Sequence, residues 1–429
     1  MRLHHALAAL LLLAGCGPDP IEPRRQIGAH PYLPDIHQYL LPPMKLAKVT
    51  GWNGAKPSVA AGLKISAFAT GLKSPRMVYA LPNGDVLVVE SEAPPSGGIG
   101  RPKEFLMGIL MSMSHSQEKA GNRIILLRDA DNDGVPEVKT VFLDHLKSPF
   151  GVVLVGNDLY VANADAVMRY PYQAGETQIT APGTELTPLP GGPINHHWTK
   201  SLTASPDGTR LYACVGSNSN ITENGIGAEL DRAAIWEIDR ATGAHRLYAT
   251  GLRNPNGLQF EPVTHALWTV VNERDELGPD LVPDYMTSVK PGAFYGWPYS
   301  YYGQHVDPRV MPQRPDLVAK AIPPDYALSS HVAPLGLVFT AGSTLPGYGN
   351  GAFVAEHGSW DRTRFNGYKV VYVPFTDSVP SGMAQDAVTG FLDGDNARGR
   401  PVSLAIDSHG SLLIADDAGN TVWRVTAGN

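Results

Sequence analysis

The sequence predicts an all-β protein with the architecture of a six-bladed β-propeller. Three observations favour this fold class. A short apolar strand that follows a turn recurs six times. Glycine and proline, with 45 and 37 residues of 429, make up almost a fifth of the chain and indicate many tight turns. Stretches with the 3.6-residue period of a helix are scarce. Radial repetition of small sheets suits this pattern, since it leaves little sheet edge exposed.

The recurring strand is apolar and usually ends at a polar residue. Its six copies are NGDVLVVES (83–91), GNDLYVANAD (156–165), PDGTRLYACVGS (206–217), THALWTVVNE (264–273), GNGAFVAEHG (349–358) and HGSLLIADD (409–417). The first apolar residues of these copies run from Val86 to Leu412, so their five intervals average about 65 residues. That spacing suits a four-stranded blade with long loops.

Two rival folds fit less well. A β-sandwich rarely reaches about 380 residues in one domain, and a β-helix would have a shorter and more regular period. In a closed ring, the last strand, near NTVWRVT (420–426), would pair with an N-terminal strand near LKISAFAT (63–70). One insertion, RPKEFLMGILMSMSHSQEK (101–119), departs from the pattern and is expected to carry a short helix.

Residues 1–16 have the pattern of a bacterial lipoprotein signal peptide. An apolar run too short to span a bilayer precedes Leu13-Ala14-Gly15-Cys16, which resembles a lipobox. Cys16 is therefore the expected lipidation site; an ordinary signal peptide that contains a cysteine is the alternative. We expect a Pro-rich tether over residues 17–60 and the propeller domain over 61–429. The lipid anchor would hold the protein on the periplasmic side of a bacterial membrane and be its only membrane contact.

Composition excludes several classes of protein. The chain is 43% hydrophobic and can form a large core, and its formal net charge of -7 without a basic run argues against nucleic-acid binding. Cys214 is the only other cysteine, and no Cys-x-x-Cys-His for haem attachment is present. Without a strand-linked Gly-x-Gly-x-x-Gly, a P-loop or His-Glu-x-x-His, nicotinamide, nucleotide and zinc-protease chemistry are disfavoured.

Polar residues at the ends of the repeated strands predict a site around one end of the propeller channel. They are Glu90, Asn163, Ser217, Glu273, Glu356 followed by His357, and Asp416. Each alone could simply begin a turn, but the set falls at equivalent places. In NHHWTKSL (195–202), His196 and His197 cannot both fill the core, because adjacent strand residues face opposite sides.

Two arginine segments indicate an anionic ligand. In GLRNPNGLQF (251–260), Arg253 and Asn254 precede a turn, and the guanidinium could fork two hydrogen bonds to a carboxylate or quinone oxygen. Arg398 and Arg400 would project in the same direction from an extended chain, and an anion between them would relieve their repulsion.

Two acidic segments have the composition of cation-binding loops. NERDELGPDLVPDY (272–285) could hold a divalent cation through carboxylates and carbonyls. In DADNDGVPE (129–137), Asp129, Asp131 and Asp133 with the following glycine fit the opening of an EF-hand loop. Position 12 of that loop would be a threonine and no flanking helices are evident, so an acidic hairpin turn is the favoured interpretation.

Taken in order, HHWTKSL, GLRNPNGL, NERDELG with FYGWPYSY, HGSW, and GRPVSLAID with LLIADDAGN resemble the glucose/sorbosone dehydrogenase family. These are soluble quinoproteins that use pyrroloquinoline quinone (PQQ). The resemblance runs from about residue 62 to 426, and the sorbosone dehydrogenase-like branch is the most similar. It implies a six-bladed propeller with PQQ and Ca²⁺ at the channel mouth, a small sugar as substrate and an external electron acceptor.

The resemblance also implies roles for individual residues. His197, in the matching His-x-x-x-x-Leu segment, would be the general base, and His196 falls where better-known members carry an Asp that helps to orient it. Arg253 and Asn254 would contact the quinone and the reacting oxygen. The other implied cofactor contacts are Arg398 and Arg400 to PQQ carboxylates, Asp416, and His357 in the region of the family's lysine. Calcium would be held near Arg274 and Asp275, through carbonyls or the Asp275 carboxylate.

Two other functions remain open from the residues alone. A propeller hydrolase or lactonase could use Glu90, Asn163, Asn272 and Asp416 around a metal ion, without either arginine segment. A lipid-anchored propeller could also bind glycans without catalysis. The pair Arg398 and Arg400 favours the quinoprotein over both.

Overall fold

The computed structural model describes residues 21–39, 44–95 and 121–428. Within these ranges the predicted all-β class is confirmed, because helix is limited to one short turn, α1 (Pro315–Val318), and two 3-10 turns, Pro23–Gln26 and Ile226–Glu229. None of the helices in the described ranges has the length and apolar character needed to cross a membrane. Cys16 and the expected helix at 101–119 lie outside the described residues.

The strands are short and follow one another in chain order. They are β1 (Ile27–Gly28), β2 (Lys48–Val49), β3 (Ser58–Val59), β4 (Leu63–Ala69), β5 (Pro75–Ala80), β6 (Val86–Glu90), β7 (Arg123–Arg128), β8 (Val138–Leu143), β9 (Val152–Val155), β10 (Asp158–Ala162), β11 (Ala166–Pro171), β12 (Thr184–Pro188), β13 (Leu202–Ala204), β14 (Arg210–Val215), β15 (Ala234–Asp239) and β16 (His245–Thr250). The remainder are β17 (Pro255–Phe260), β18 (Leu267–Val271), β19 (Pro283–Val289), β20 (Ser300–Tyr301), β21 (His305–Val306), β22 (Tyr326–Ser330), β23 (Pro334–Phe339), β24 (Gly351–Glu356), β25 (Lys369–Thr376), β26 (Val379–Pro380), β27 (Gln385–Thr389), β28 (Leu392–Asp393), β29 (Asn396–Ala397), β30 (Pro401–Ile406), β31 (Leu412–Asp416) and β32 (Thr421–Ala427).

Most of these strands belong to antiparallel sheets of at least four strands, and the described part of the chain contains six such sheets. Their cores are β5-β6-β7-β8, β9-β10-β11-β12, β13-β14-β15-β16, β17-β18-β19-β22, β23-β24-β25-β27 and β30-β31-β32-β4. The last sheet joins both ends of the described chain, with Val425 opposite Ile65 and Val422 opposite Ala69. The predicted pairing of residues 420–426 with 63–70 is therefore confirmed.

The first strands of these sheets surround a central cavity. Strands β5, β9, β13, β17, β23 and β30 contact one another in that order, and β30 returns to β5. All six contribute to the lining of a cavity of about 350 Å³. The repeated apolar strand of the sequence is the second strand of each sheet, not the one facing this cavity. Second strands are buried along nearly their whole length, and so they give the strongest apolar signal.

The described part of residues 17–60 differs from the expected tether. Strand β1 pairs with β22, β2 with β29, and β3 extends the sheet beyond β27. Trp52 is buried; its indole Nε1 donates to Asp416 Oδ2 at 2.6 Å, and its ring packs edge-on against Phe391 and Trp423. A Pro-rich composition predicts extended chain, but it does not reveal that single buried side chains fasten this segment to the domain.

Candidate active site

Strand register brings two sets of loops together at one end of the central cavity. In four of the described sheets, the proline that begins the first strand lies opposite or nearly opposite the last residue of the second strand, as in Pro75 with Glu90 and Pro334 with Glu356. The loops before the first strands therefore meet the loops after the second strands. His197, Arg253, Asp275, His357 and Arg400 all belong to these loops.

His197 is fixed in one tautomer by Ser217. Its Nδ1 lies 2.9 Å from the Ser217 carbonyl oxygen and 3.0 Å from Ser217 Oγ, which itself donates to the Ser219 carbonyl. A carbonyl oxygen can only accept, so Nδ1 carries the proton and Nε2 is left with its lone pair in the neutral ring. His196, the neighbouring histidine, is exposed and packs edge-on against His197 at 4.6 Å. Ser217 thus takes the orienting position that the family resemblance implies for residue 196.

The surroundings of His197 keep it neutral. Burial, the nearby Arg253 guanidinium and His196 lower its pKa well below the ordinary value of 6.5. Arg232 supports the loop from beneath: it is buried and donates to the carbonyls of Gly216, Pro190 and His197. An imidazole that is neutral at pH 7 and held in the Nδ1–H tautomer is suited to accept a proton at Nε2.

Arg253 and Asn254 lie beside His197. Arg253 donates to the Glu273 carbonyl at 2.6 Å and forms an ion pair with Asp275 Oδ2 at 3.1 Å, while its own carbonyl accepts from Ser217 N at 2.8 Å. Its buried Nε has no hydrogen-bond partner among the described residues. A Cβ on Gly216 would lie 2.5 Å from His197 Cβ and 2.6 Å from Asn254 Oδ1, so these residues approach each other closely across that glycine.

The residues predicted to hold calcium are engaged in ion pairs. Asp275, His331 and Asp361 offer ligand atoms within 4.8 Å of one another. However, His331 Nε2 faces the Gly278 carbonyl and therefore carries a proton, and its Nδ1 lies 3.3 Å from Asp275 Oδ1, where a second proton would make the ring cationic. Burial opposes this charge, but Asp275 and Asp361 outweigh it and raise the pKa of His331.

The contacts of Asp275 therefore do not fit a divalent cation. His331 contacts one of its carboxylate oxygens and Arg253 the other. Burial would raise the pKa of Asp275, but these two partners outweigh burial and lower it, as expected for an ionised carboxylate between cations. The side chain of Arg274 is buried in an ion pair with Asp307 at 3.1 Å.

A second group of charged side chains, Arg76, Arg400 and Asp417, lies around His357 at the cavity mouth. His357 Nε2 contacts both oxygens of Asp417 at 3.0 and 3.1 Å, and Asp417 also pairs with Arg76. Arg400 donates from Nε to the His357 carbonyl at 3.0 Å and lies over the ring of Tyr368. Burial and the Arg400 charge lower the pKa of His357 to about 4, so its ring is neutral at pH 7.

Two predicted cofactor contacts have other partners. Arg398 is half-buried and pairs with Asp393 at 2.7 Å, separately from the Arg400 contacts. Asp416 is fully buried, and its two oxygens accept from the indoles of Trp52 and Trp423 and from the backbone N–H groups of Arg400 and Gly419. These four donors make Asp416 a structural anchor. Its neighbour Asp417 instead contacts Arg76 and His357.

A small apolar cluster adjoins the His197 and Arg400 loops. Phe150, Leu335 and Val402 form a small cluster against which Trp198 packs, with the rings of Phe150 and Trp198 in edge-on contact. Arg76 lies 5.8 Å from the Trp198 ring centroid, and its buried Nε has no hydrogen-bond partner among the described residues. The mouth thus combines a half-buried tryptophan ring, packed on this apolar cluster, with guanidinium groups that have unused donors.

Sequence reasoning missed Arg76, Arg232, Ser217 as an orienting group, and Asp417. Arg76 carries a signal of its own, since it follows Ser74-Pro75 in the same way that other site residues adjoin a strand-initiating proline. Arg232 and Asp417 carry none, because their partners come from distant parts of the chain.

The fold and the site define a class of protein: a ring of small antiparallel sheets with a neutral histidine and several arginines at one end of its central cavity. The family model described as Glucose / Sorbosone dehydrogenase matches residues 157–366, and a second model, TrAA12-like, matches residues 315–428. The resemblance predicted from the sequence motifs is therefore confirmed over residues 157–366.

Solved structures share the fold at low sequence identity. An iodide structure of a Trichoderma reesei carbohydrate-active enzyme of family AA12 is 20% identical, with a TM-score of 0.69 over 87% of this chain and 98% of that chain. The holo PQQ domain of pyranose dehydrogenase from Coprinopsis cinerea is 20% identical, with a TM-score of 0.68 over 86% and 97%. The PQQ-bound aldose sugar dehydrogenase from Streptomyces coelicolor is 16% identical, with a TM-score of 0.54 over 86% and 100%. These likenesses show that the chain has a β-propeller fold.

A curated relative comes from Borreliella burgdorferi. This uncharacterized protein is 27% identical over 292 residues, which cover 65% of this chain and 76% of the relative. The matched family consists of sugar dehydrogenases, which are oxidoreductases, and this is the class of enzyme to which the comparisons point.

Proposed function

We propose that the protein is a PQQ-dependent oxidoreductase that oxidises an aldose or a sorbosone-type sugar, with His197 as the general base. The observation that carries the proposal is the neutral, tautomer-fixed His197 beside Arg253 at the cavity mouth. We also propose that the six sheets are the blades of a six-bladed propeller. The contacts of their first strands, which return from β30 to β5, support that count.

The residues at the mouth fit PQQ, a flat anion with carboxylate groups. Trp198, half-buried against the cluster of Phe150, Leu335 and Val402, offers an apolar ring against which a planar cofactor can pack. Around it, Arg76 and Arg253 each have a buried Nε without a partner among the described residues, which is the kind of donor that a carboxylate or quinone oxygen satisfies. Arg400 and Asn254 complete the rim, with Arg398 further out on the same loop.

Each site residue has a defined task in this proposal. When bound, PQQ supplies a two-electron oxidant that accepts hydride from the sugar carbon. His197 Nε2 takes the hydroxyl proton of that carbon, while the Nδ1–H bond to Ser217 keeps the ring oriented. Arg253 places positive charge where the substrate oxygen becomes negative, and Asn254 beside it adds a hydrogen-bonding amide. The electrons must then leave to an external acceptor.

Calcium at Arg274 and Asp275 takes no part in the proposed proton transfer, because the Asp275 carboxylate already lies between Arg253 and His331.

The hydrolase alternative lacks support because most of its candidate metal ligands already have other partners. Glu90 pairs with Arg123, Asn272 donates to the Pro334 carbonyl, and Asp416 is saturated by four donors. Three of the four polar groups that would ligate its metal are therefore engaged separately, and of the set only Asn163 has a buried Oδ1 without a hydrogen-bond partner among the described residues.

The test is dye reduction by the purified full-length protein with a panel of aldoses and sorbosone. Activity is expected only after PQQ is added. His197→Ala should lower turnover by a factor of about 10² to 10⁴ and leave PQQ binding intact, since the histidine moves a proton and does not hold the cofactor. His409→Ala, which removes an exposed histidine, is the matched control. Sugar oxidation without PQQ, or unchanged turnover in His197→Ala, would contradict the proposal.

We further propose that Cys16 carries lipid and anchors the protein on the periplasmic side of the membrane. The lipobox pattern supports this placement. The intact mass of detergent-extracted protein should include a lipid adduct that Cys16→Ser removes, and an unmodified mass for the wild-type protein would refute the anchor.

A further inference from the structure

The hairpin between β7 and β8 gathers four carboxylates. Asp129, Asp131, Asp133 and Glu137 each offer an oxygen, and these oxygens lie within 4.8 Å of one another. The hairpin is at the end of its sheet away from the candidate active site, because β7 begins at Arg123, opposite Glu90, and ends at the hairpin. Nothing in the proposed sugar oxidation uses these residues.

One carboxylate of this cluster, that of Asp129, has an oxygen without a partner among the described residues. The side chain of Asp129 is only 7% exposed. Its Oδ2 accepts from Gly134 N at 3.0 Å and from Arg424 at 3.1 Å, whereas its buried Oδ1 has no hydrogen-bond partner in the described part of the chain. Buried polar atoms without partners are rare in native proteins and call for an unseen ligand. Because other carboxylates surround Asp129, a cation is the ligand that would satisfy Oδ1 and also relieve their repulsion.

The spacing of the cluster suits calcium. Asp129, Asp131 and Asp133 occupy positions 1, 3 and 5 of a loop whose position 6 is Gly134, with a φ of 92°, as in oxygen-rich calcium loops. From the sequence alone, an acidic hairpin turn is favoured instead, because position 12 is not acidic and no flanking helices are evident. In the structure, Glu137 at position 9 supplies the fourth carboxylate.

We propose that this hairpin binds Ca²⁺ and that the ion braces the junction between the first sheet and the last. Arg424, on β32 of the last sheet, bridges Asp129 and Asp407. Lys139, which follows the hairpin, donates to the Thr70 carbonyl just after β4, at 2.7 Å. A cation held by the hairpin therefore stabilises the place where the N- and C-terminal strands close the ring.

The experiment is a Ca²⁺ titration of the full-length apoprotein by calorimetry, together with its melting temperature with and without Ca²⁺. Asp131→Asn/Asp133→Asn removes two ligand charges, and the asparagine side chains can still accept the hydrogen bonds from Asp133 N and Val135 N that shape the loop. Glu92→Gln/Glu185→Gln makes the same change of charge at two exposed positions and is the matched control.

Wild-type and control proteins should bind Ca²⁺ with a dissociation constant below about 1 mM and melt at a higher temperature with it. The hairpin variant should bind at least about tenfold more weakly and lose the shift in melting temperature. A smaller loss of affinity, or no wild-type binding below about 1 mM, overturns the proposal. PQQ and sugar are absent from the experiment, so its result is independent of the proposed oxidation.

Discussion

Arg253 and Asp275 form an ion pair whose members are both largely removed from water. The two side chains are 5% and 20% exposed, and the contact between Arg253 Nη2 and Asp275 Oδ2 measures 3.1 Å. Removing one member of such a pair leaves the other charge in a poorly solvated place, and this costs more than the pair itself contributes. Arg253 is therefore a structural residue as well as a candidate for substrate contact.

Arg253→Met is expected to lower the free energy of unfolding by about 3 kcal/mol, because Asp275 is then left with His331 alone. Asp275→Asn added to that variant should restore part of the loss, with a coupling energy of about 1 to 2 kcal/mol. Urea unfolding of the four apoproteins in this cycle measures both values. Strictly additive losses would show that the two side chains do not interact.

The proximity of site residues was predictable where a motif holds them together and unpredictable where partners meet through the fold. His197, Arg253 and Asn254 adjoin in space as their motifs implied. Asp416 and Asp417 show the opposite case, because they are adjacent in sequence but have different partners. Asp416 accepts from Trp52 and Trp423. Asp417 contacts Arg76 and His357. No local pattern distinguishes them, because those partners lie far away in the chain.

At the level of elements, proline marks the first strand of most sheets. Four of the six cavity-lining strands in the described chain begin at a proline, namely Pro75, Pro255, Pro334 and Pro401, and Pro149 lies three residues before β9. Proline fixes φ, and as the first residue of a strand it sacrifices little of the ladder. This repeat was available in the sequence, but the more apolar second strands masked it, and so the strands that line the cavity were not recognised.

A substitution at Gly216 would test how closely the loop after β14 must approach the loops that carry His197 and Asn254. Gly216→Ala would place a methyl group 2.5 Å from His197 Cβ and 2.6 Å from Asn254 Oδ1, so one of these side chains must move. We expect turnover to fall at least about tenfold with a loss of stability of about 1 to 3 kcal/mol. Gly192→Ala is the matched control, since a Cβ there meets nothing within 4 Å. Wild-type turnover in Gly216→Ala would mean that the site tolerates a shift of His197.

For the whole molecule, strand period and turn residues were enough to predict an all-β chain closed by its two ends. They did not predict the docking of residues 21–39 and 44–60, because that docking rests on isolated anchors such as Gln26 and Trp52. Nor did they predict how many buried acids the closed structure holds. Glu273, Asp284, Glu356 and Asp361 are all buried, and their titration depends on an interior that the linear sequence does not describe.

These acids predict how stability depends on pH. Burial raises the pKa of Glu356 to about 8, of Glu273 to about 7, and of Asp284 and Asp361 to about 6. In each case the folded state binds a proton more tightly than the unfolded chain. The stability that the neutral carboxyl groups contribute is therefore complete below their ordinary pKa values, and it is lost as pH rises through 6 to 8.

Glu356 has the highest of these pKa values and gives the sharpest test. Between pH 6.5 and 9 the wild-type apoprotein should lose about 2 kcal/mol that Glu356→Gln does not lose, because glutamine stays neutral. Urea unfolding at several pH values measures this difference, and Glu185→Gln, at an exposed position, controls for the change of charge. The comparison also separates Glu356 from Lys200, whose pKa burial lowers and whose effect on stability has the opposite sign. Parallel pH profiles for wild type and Glu356→Gln would mean that Glu356 is ionised in the folded protein, and the buried acids would then have to be compensated by neighbouring cations such as Lys369.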